Sequence, residues 1–366
     1  FSYQSFNSFS ITQLERNKMK HSSFPIWIFT LFFSVLLLSS PFSNLYALER
    51  VRWKLQIGFA GAEEPVKRLI EQVKSISEGK IKLRLYKVNT LVPGMELHSA
   101  VGSGQLDAGF TNPGYFANKI PAVIFFGGVP FGPRLVEHNA WMQHGGGQRL
   151  KDRIYEEQGL VSLQCGLVPP ESGGWFNKPF VRIEELKGTK MRIWGFGGKV
   201  LKKFGVVPNE LGAMDIVPAQ EKGVIDAAEF STPHWDYFIG IHKVFKYNYY
   251  PGWIQPIVIP ELIVNKLQWD NLSDASRLII RTSCDSLLLW MMVMIDSEQP
   301  QAMRKIKQEG VEFLTWRDSE LKKLRKAWHE VADEESEKDP LFAELYKSYK
   351  SFREQYAIWG DRAYLN

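Results

Sequence analysis

Arg192 lies in "KMRIWGFGGKVLKKFG", where a short apolar strand runs into Gly195, Gly197 and Gly198 and then a helical pattern. An arginine at the end of a strand presents a planar fork of donors, the geometry that grips a carboxylate at two points. The glycines raise a second possibility, a nucleotide-binding turn. That fingerprint, G-x-G-x-x-G, would need glycine at Val200, and no G-K-[ST] of a phosphate loop follows. Aromatic residues crowd the surrounding sequence: Trp175, Trp194, Phe196, Phe230, Trp235, Tyr247, Tyr249, Tyr250 and Trp253. Rings build apolar walls, while indole and phenol groups add single directed hydrogen bonds. A lone strand arginine is more often a surface ion-pair partner, but this density of rings favours a ligand.

Other chemistry finds less support. Asp226 and Glu229 in "IDAAEF" are three apart, so on a strand they point to opposite faces and do not form a concerted acid/base pair. His234 and His242 flank Asp236, but on a helix they lie two turns apart, too far for one metal ion. Packing or surface hydrogen bonding is the expected role of both histidines. The chain contains no H-E-x-x-H, G-x-S-x-G or C-x-x-C, which removes the common zinc, serine-hydrolase and dithiol signatures.

The elements that must position Arg192 follow from periodicity. Strands are expected at "WKLQIGF", "IKLRLYKV", "LDAGF", "LVSLQCGLV", "KMRIW" and "VIDAAEF". Between them, Glu63–Ser77 carries Val66, Leu69, Ile70, Val73 and Ile76 on one helical face. Short helices are expected over Gly94–Gly104, from Pro133 through Met142, and at "GGKVLKKFG" and "IVPAQEKG". Strands alternating with helices predict an α/β fold with largely parallel sheets, whose ligands bind beyond the carboxyl ends of strands. Arg192–Gly197, Glu229–Pro233 and Thr111–Tyr115 fall at such ends. That adds Asn112 and Tyr115 to the candidate ligand-binding residues.

Composition sets the remaining bounds. The 366 residues are 45% apolar and 23% charged, with a formal net charge of +5, ordinary globular usage with no nucleic-acid footprint. Met19 is followed by Lys20, His21 and an apolar run from Phe24 to Leu38, the layout of a secretory signal peptide. That run falls short of the roughly 20 residues a spanning helix needs. Residues 19–47 are therefore expected to be a cleaved signal peptide and residues 1–18 upstream read-through, with an uncleaved anchor as the alternative. The destination is the periplasm. The remaining length exceeds one comfortable core, so two lobes are expected. Residues 48–158 with parts of 254–300 form the first, residues 159–253 the second, and residues 301–366 a helical C-terminal segment. Cys165 and Cys284 are expected as two separate buried thiols, although an oxidising compartment would also permit a bridge.

The order of motifs resembles the periplasmic solute-binding components of tripartite ATP-independent (TRAP) transporters. The likeness runs from "NTLVPGMELHSAVGSGQLDAGF" to "DPLFAELYKSYKSFREQYAIWGDRAYL". Its most specific parts are "ESGGWF", "LKGTKMRIWGFGGKVLKKFGVVP", "GVIDAAEFSTPHWD" and "KYNYYPGW". The resemblance implies a two-lobed periplasmic binding-protein fold (class II-like) with long C-terminal helices. It further implies a small-molecule carboxylate held by Arg192, delivery to TRAP membrane permease subunits, and no enzymatic step. The chain is most similar to the group that binds 2-oxo and 2-hydroxy acids. That likeness places Glu171, Glu229 and Phe230 at an ion, Na⁺ or Ca²⁺ rather than zinc, with no organic cofactor. Phe230 stands where that group often has tryptophan, Glu171 where it often has glutamine, and "GLVPPE" lacks the asparagine of the matching loop. "PPESGGWF" and "EFSTPHWD" are also similar to a group that takes polyols or haloaromatic acids, which stays the alternative ligand class. A periplasmic enzyme acting on a small acid is the remote one, and Glu229 as a mere salt-bridge partner remains open. Phe342, Leu345, Tyr346, Tyr349 and Phe352 recur at helical spacing, a stripe that either packs on its own lobes or is exchanged in a homodimer.

Overall fold

The computed structural model describes residues 48–363. The proposed leader and read-through lie outside them. β1 (Val51–Ile57) alternates buried and exposed side chains before becoming wholly buried, and β2 (Ile81–Tyr86) alternates likewise. Such alternation marks strands with one face on the core. With β3 (Ala108–Thr111), β4 (Leu160–Gln164) and β10 (Glu261–Asn265) they form a first sheet in the order β2-β1-β3-β10-β4. The second sheet runs β11-β9-β5-β8-β6-β7. Its strands are β5 (Trp175–Phe176), β6 (Lys190–Arg192), β7 (Val207–Asn209), β8 (Ala227–Ala228), β9 (Tyr247–Tyr250) and β11 (Glu312–Thr315). The mixed α/β architecture and long C-terminal helices agree with the expected fold class.

Three details correct the sequence reading. The sheets are mixed rather than largely parallel, since β10 runs antiparallel to both β3 and β4, and β5 is antiparallel to β8 and β9. β4 pairs with β10, so it belongs to the first sheet and not to the second lobe that was expected to begin at 159. The expected helical C-terminal segment also contains a strand, β11, which lies parallel to β9 at the edge of the second sheet.

The chain crosses between sheets after β4, before β10, and along the helix Asp274–Gln308. The first two crossings pair with each other: Val168 and Val258 exchange backbone hydrogen bonds of 2.8 and 3.1 Å. Two short paired segments and one long helix suit a hinge. That helix is long and apolar enough to cross a membrane, yet Cys284, Leu287, Met291 and Ile295 pack into the first core and Ile306 into the second. Cys165 and Cys284 form a disulfide between the end of β4 and this helix, correcting the expectation of separate thiols. Their Cα atoms are brought to 4.3 Å across a sequence separation of 119. No local pattern reveals that proximity.

The stripe of the last helix (Pro340–Ala363) packs on its own chain. Phe342 meets Phe125 at 5.0 Å and Phe196 at 5.5 Å between ring centroids, and Tyr349 meets Phe125 at 5.1 Å and Trp141 at 5.3 Å. Because Phe125 precedes β4 and Phe196 follows β6, the helix ties both lobes.

Beneath the first sheet sits a buried ionic cluster. Glu261 accepts from His98 Nε2 at 2.8 Å, Tyr155 Oη at 2.9 Å and Ser162 Oγ at 2.5 Å, with Lys151 Nζ 3.3 Å away. Burial opposes ionisation of Glu261, but Lys151 and these donors hold its carboxyl at about 2. His138, whose Nε2 is buried without a partner, is pushed down to about 3 by burial and then by the Lys151 charge. Between pH 6.5 and 3 the unfolded chain therefore carries a proton at His138 that the fold refuses, so this histidine costs stability as pH falls through that range. Glu261 adds a loss only below 4.5. We expect His138→Gln to lose about 2–3 kcal/mol less than wild type between pH 6.5 and 4.5. Parallel denaturation-versus-pH curves for the two proteins would refute this.

Candidate ligand-binding site

β6 delivers Arg192 to the carboxyl end of the second sheet, in register with Ala228 of β8. The backbone N–H of Glu229 donates to the Arg192 carbonyl at 2.8 Å, which locks the two residues side by side. Gly195, at φ +59°, opens the following helix (Gly195–Lys202) in a left-handed conformation that costs glycine little. The glycines serve the turn.

Arg192 is only 7% exposed. Its Nε donates to the Leu211 carbonyl at 3.1 Å, and Nη1 donates to the Glu229 carbonyl while lying 3.7 Å from Glu229 Oε2. Its guanidinium carbon stands 5.4 Å from the centroid of the Phe230 ring. Trp194 donates its indole N–H to the same Leu211 carbonyl at 3.1 Å, so one main-chain oxygen fixes both side chains.

Three buried carboxyl groups surround this arginine. Glu171, Glu229 and Asp236 are 7%, 3% and 0% exposed. Glu171 enters on the loop before β5, where Gly252 passes so close that a Cβ there would run into the Glu171 carbonyl. Oε2 of Glu171 and Oε1 of Glu229 are buried and meet no donor, while the two carboxyl groups lie within hydrogen-bonding reach of each other. Asp236 is satisfied instead: Trp175 Nε1 donates to it at 2.7 Å, the Ser231 N–H at 3.1 Å and Ser172 Oγ at 3.4 Å. Burial, and then the neighbouring charge of Glu229, pushes the Glu171 carboxyl well above the usual range. Burial also raises Glu229, with Arg192 opposing. Asp236 is raised well above its ordinary value by burial, against the Trp175 hydrogen bond. Two carboxylates beside one guanidinium cannot both ionise cheaply unless another positive charge enters.

The first lobe reaches this cluster through the helix Pro113–Phe116. Asn112 caps that helix, its Oδ1 accepting from the Gly114 N–H at 2.7 Å. Burial raises the Tyr115 hydroxyl while the Arg192 charge lowers it, which places Tyr115 within the field of the arginine on the facing lobe. Trp235 of the helix Pro233–Ile239 rests on the turn after β1, where a Cβ on Gly61 would meet its ring at 2.5 Å.

The structure thus gathers Arg192, Glu171, Glu229 and Phe230, and puts Tyr115 opposite them. Trp175 is wholly enclosed as the partner of Asp236, Trp194 is half-buried as the companion of Arg192, and Asn112 is a helix cap. His234 Nδ1 lies 3.6 Å from Glu298 in the long helix, and His242 Nε2 lies 3.0 Å from Glu309 just past its end. Sequence reasoning missed two supports. Asp236 was weighed only with the histidines, although its place in the first turn after Pro233 was a usable signal. The Leu211 carbonyl, being main chain, carries no signal at all.

Two mixed α/β sheets joined by paired crossovers, with a buried arginine and carboxylates between them, define a two-lobed solute-binding protein. The chain belongs to the bacterial extracellular solute-binding proteins, family 7, matching that family over residues 62–339. It is the solute-binding component of a TRAP transporter, which hands its ligand to membrane permease subunits. It is 31% identical over 320 residues to a monocarboxylate 2-oxoacid-binding periplasmic protein of Nostoc sp., covering 86% of this chain and 87% of that protein. Among solved structures, it is similar to a TRAP solute-binding protein from Bordetella bronchiseptica, a dimer with copurified calcium and picolinate. The identity is 32%, the TM-score 0.82, and the match covers 86% of this chain and 95% of that one. A TRAP protein from Pseudoalteromonas atlantica with bound sodium and pyruvate is 30% identical at a TM-score of 0.80, over 86% and 97% of the two chains.

Proposed function

We propose that this protein captures a small 2-oxo or 2-hydroxy monocarboxylate together with a cation. One observation carries the reading: a nearly buried Arg192 stands beside two buried carboxyl groups, Glu171 and Glu229, each with an oxygen that meets no donor. Arg192 takes the ligand carboxylate. Oε2 of Glu171 and Oε1 of Glu229 face a cation, and of Phe230 only the main-chain carbonyl offers an oxygen. Among the described residues, no three His, Cys, Asp or Glu side chains gather as a metal site. The remaining donors are therefore main chain and ligand, which suits a hard cation bound through oxygen. When bound, the cation supplies the positive charge that lets both glutamates ionise and polarises the ligand oxygen next to its carboxylate. Tyr115, opposite Arg192, closes the site from the first lobe as the crossovers bend. The relatives that carry pyruvate or picolinate with sodium or calcium support this ligand class.

The role ends at capture and release in the periplasm, to which residues 19–47 would direct the chain. Calorimetry with pyruvate on chelator-stripped protein in sodium-free buffer tests the reading. Affinity is expected to fall at least about tenfold relative to ion-replete protein, to recover on adding the ion, and to fall likewise in Glu229→Gln. The pyruvate should be recovered chemically unchanged. Binding indifferent to both treatments would leave the glutamates as structural residues.

A further inference from the structure

We propose that the outer face of β1 and β2 is a docking surface for an anionic lipid bilayer, a role separate from ligand capture. The two strands share a pattern. In "RVRWK" and "KIKLR" a cation recurs at every second position: Arg50, Arg52 and Lys54 in one, Lys80, Lys82 and Arg84 in the other. Side chains two apart on a strand point to the same face. The parallel register sets Arg52 against Lys82 and Lys54 against Arg84, while Val51, Trp53, Ile81 and Leu83 fill the core behind them. Lys80 is half-buried and the other five are exposed.

The fold leaves these charges unanswered. Among the described residues none of the six forms an ion pair, whereas Lys87, just past β2, lies 4.0 Å from Glu63. Asp107 stands beside β1, but its Oδ2 accepts from the main-chain N–H of Lys54 at 2.8 Å. Like charges set opposite one another across strands repel, so the face carries a cost that an anionic partner would remove. The whole chain has a formal net charge of +5, so beyond these six it holds no positive excess. Lysine commonly guards an edge strand, and β2 is an edge. β1 lies between β2 and β3, so edge guarding leaves its three cations unexplained.

The chemistry favours lipid over protein. Protein interfaces deplete their cores of lysine and rely on aromatic and apolar anchors. Of the rings on these two strands only Tyr86 shares the face, half-buried, with the Arg84 guanidinium carbon 5.1 Å from its centroid. A layer of phosphodiester headgroups asks only for clustered positive charge, each lysine or arginine near it being worth roughly fivefold in binding. The placement agrees. Residues 39–50 are all that separate β1 from the apolar run Phe24–Leu38 of the expected leader, so this basic strand is the first to follow the segment addressed to a membrane.

Co-sedimentation with vesicles tests this on the chain from Leu48 onward, which holds every element described above. Vesicles of phosphatidylcholine with phosphatidylglycerol should bind it at low salt and release it at about 1 M NaCl, where the screening length is about 3 Å. Pure phosphatidylcholine should bind little. The quadruple variant Arg52→Thr, Lys54→Thr, Lys82→Thr, Arg84→Thr keeps strand-forming residues. It should lose at least about a hundredfold in affinity for the anionic vesicles, with an apo melt no lower than that of wild type and pyruvate affinity unchanged. Arg52→Lys with Arg84→Lys should bind anionic vesicles as wild type does, since charge and not a two-point grip is read. Equal binding of wild type to neutral and anionic vesicles overturns the proposal, as does vesicle binding undiminished in the quadruple variant. If that variant aggregates yet binds vesicles like wild type, the cations guard an edge and the proposal falls. If it binds vesicles normally but no longer delivers pyruvate to reconstituted permease, the face meets an acidic protein surface, which overturns the lipid assignment.

Discussion

Arg192→Ala is expected to cut affinity for pyruvate by roughly two to three and a half decades, the equivalent of about 3–5 kcal/mol for a buried carboxylate left without its counter-charge. A contact enclosed by rings and nearly out of solvent is screened little, which is why the loss is large. Arg192→Lys keeps the charge but cannot reach the ligand while also bonding the Leu211 and Glu229 carbonyls, so it should recover only part of the affinity. The same contacts add a second effect. Because the side chain holds two main-chain oxygens, the alanine variant should also melt earlier without ligand, by about 1–3 kcal/mol per carbonyl left unpaired. Calorimetry and apo melts on wild type and both variants separate the two effects. Affinity for pyruvate in Arg192→Ala within about threefold of wild type, half a decade, would show that the carboxylate sits elsewhere.

Removing the Cys165–Cys284 bridge should be the largest change in stability that leaves the site chemistry untouched. The bridge closes a loop of 119 residues, for which chain entropy gives about 4–5 kcal/mol. The double variant Cys165→Ala, Cys284→Ala should therefore unfold at clearly lower denaturant, and reductant should shift wild type to nearly the same midpoint. Pyruvate affinity, measured well below either midpoint, should change little, because the bridge ties β4 to the long helix and not to the Arg192 cluster. A reductant that leaves the midpoint unmoved would show that the bridge is absent in solution.

Much of this is legible in the sequence itself. β1, β2 and the helix Glu63–Ile76 announce themselves by period, and Arg192 by its place between an apolar strand and glycines. What stayed hidden shares one cause: it depends on contacts distant in sequence. "ELIVN" is wholly buried, and a continuous apolar run reads alike in either direction, so the antiparallel course of β10 could not be told from its residues. The lobe of β4 and the cysteine pairing depend on that same returning strand. In the site, motif resemblance named Glu171 and Glu229, but that both are buried beside Arg192 is visible only in the fold. The histidines show the same limit: His234 lies beside Glu298 in the long helix and His242 beside Glu309 at its end, neighbours that no local spacing names.

The late arrival of β10 bears on biogenesis. A chain emerging N-terminus first can join β1, β2 and β3 early, yet the free edge of β3 must wait for Glu261–Asn265 to come between it and β4. Ser162 waits through 99 residues for its Glu261 partner, and Cys165 through 119 for Cys284. Until then the first lobe offers an unpaired strand edge and an unpaired thiol to whatever is nearby. The second lobe's β5 to β9 emerge within that interval and need only β11 to finish their sheet. The half of the molecule that begins first is thus completed only after most of the other half has appeared. A holdase or thiol oxidase acting on this protein would find its substrate in that window.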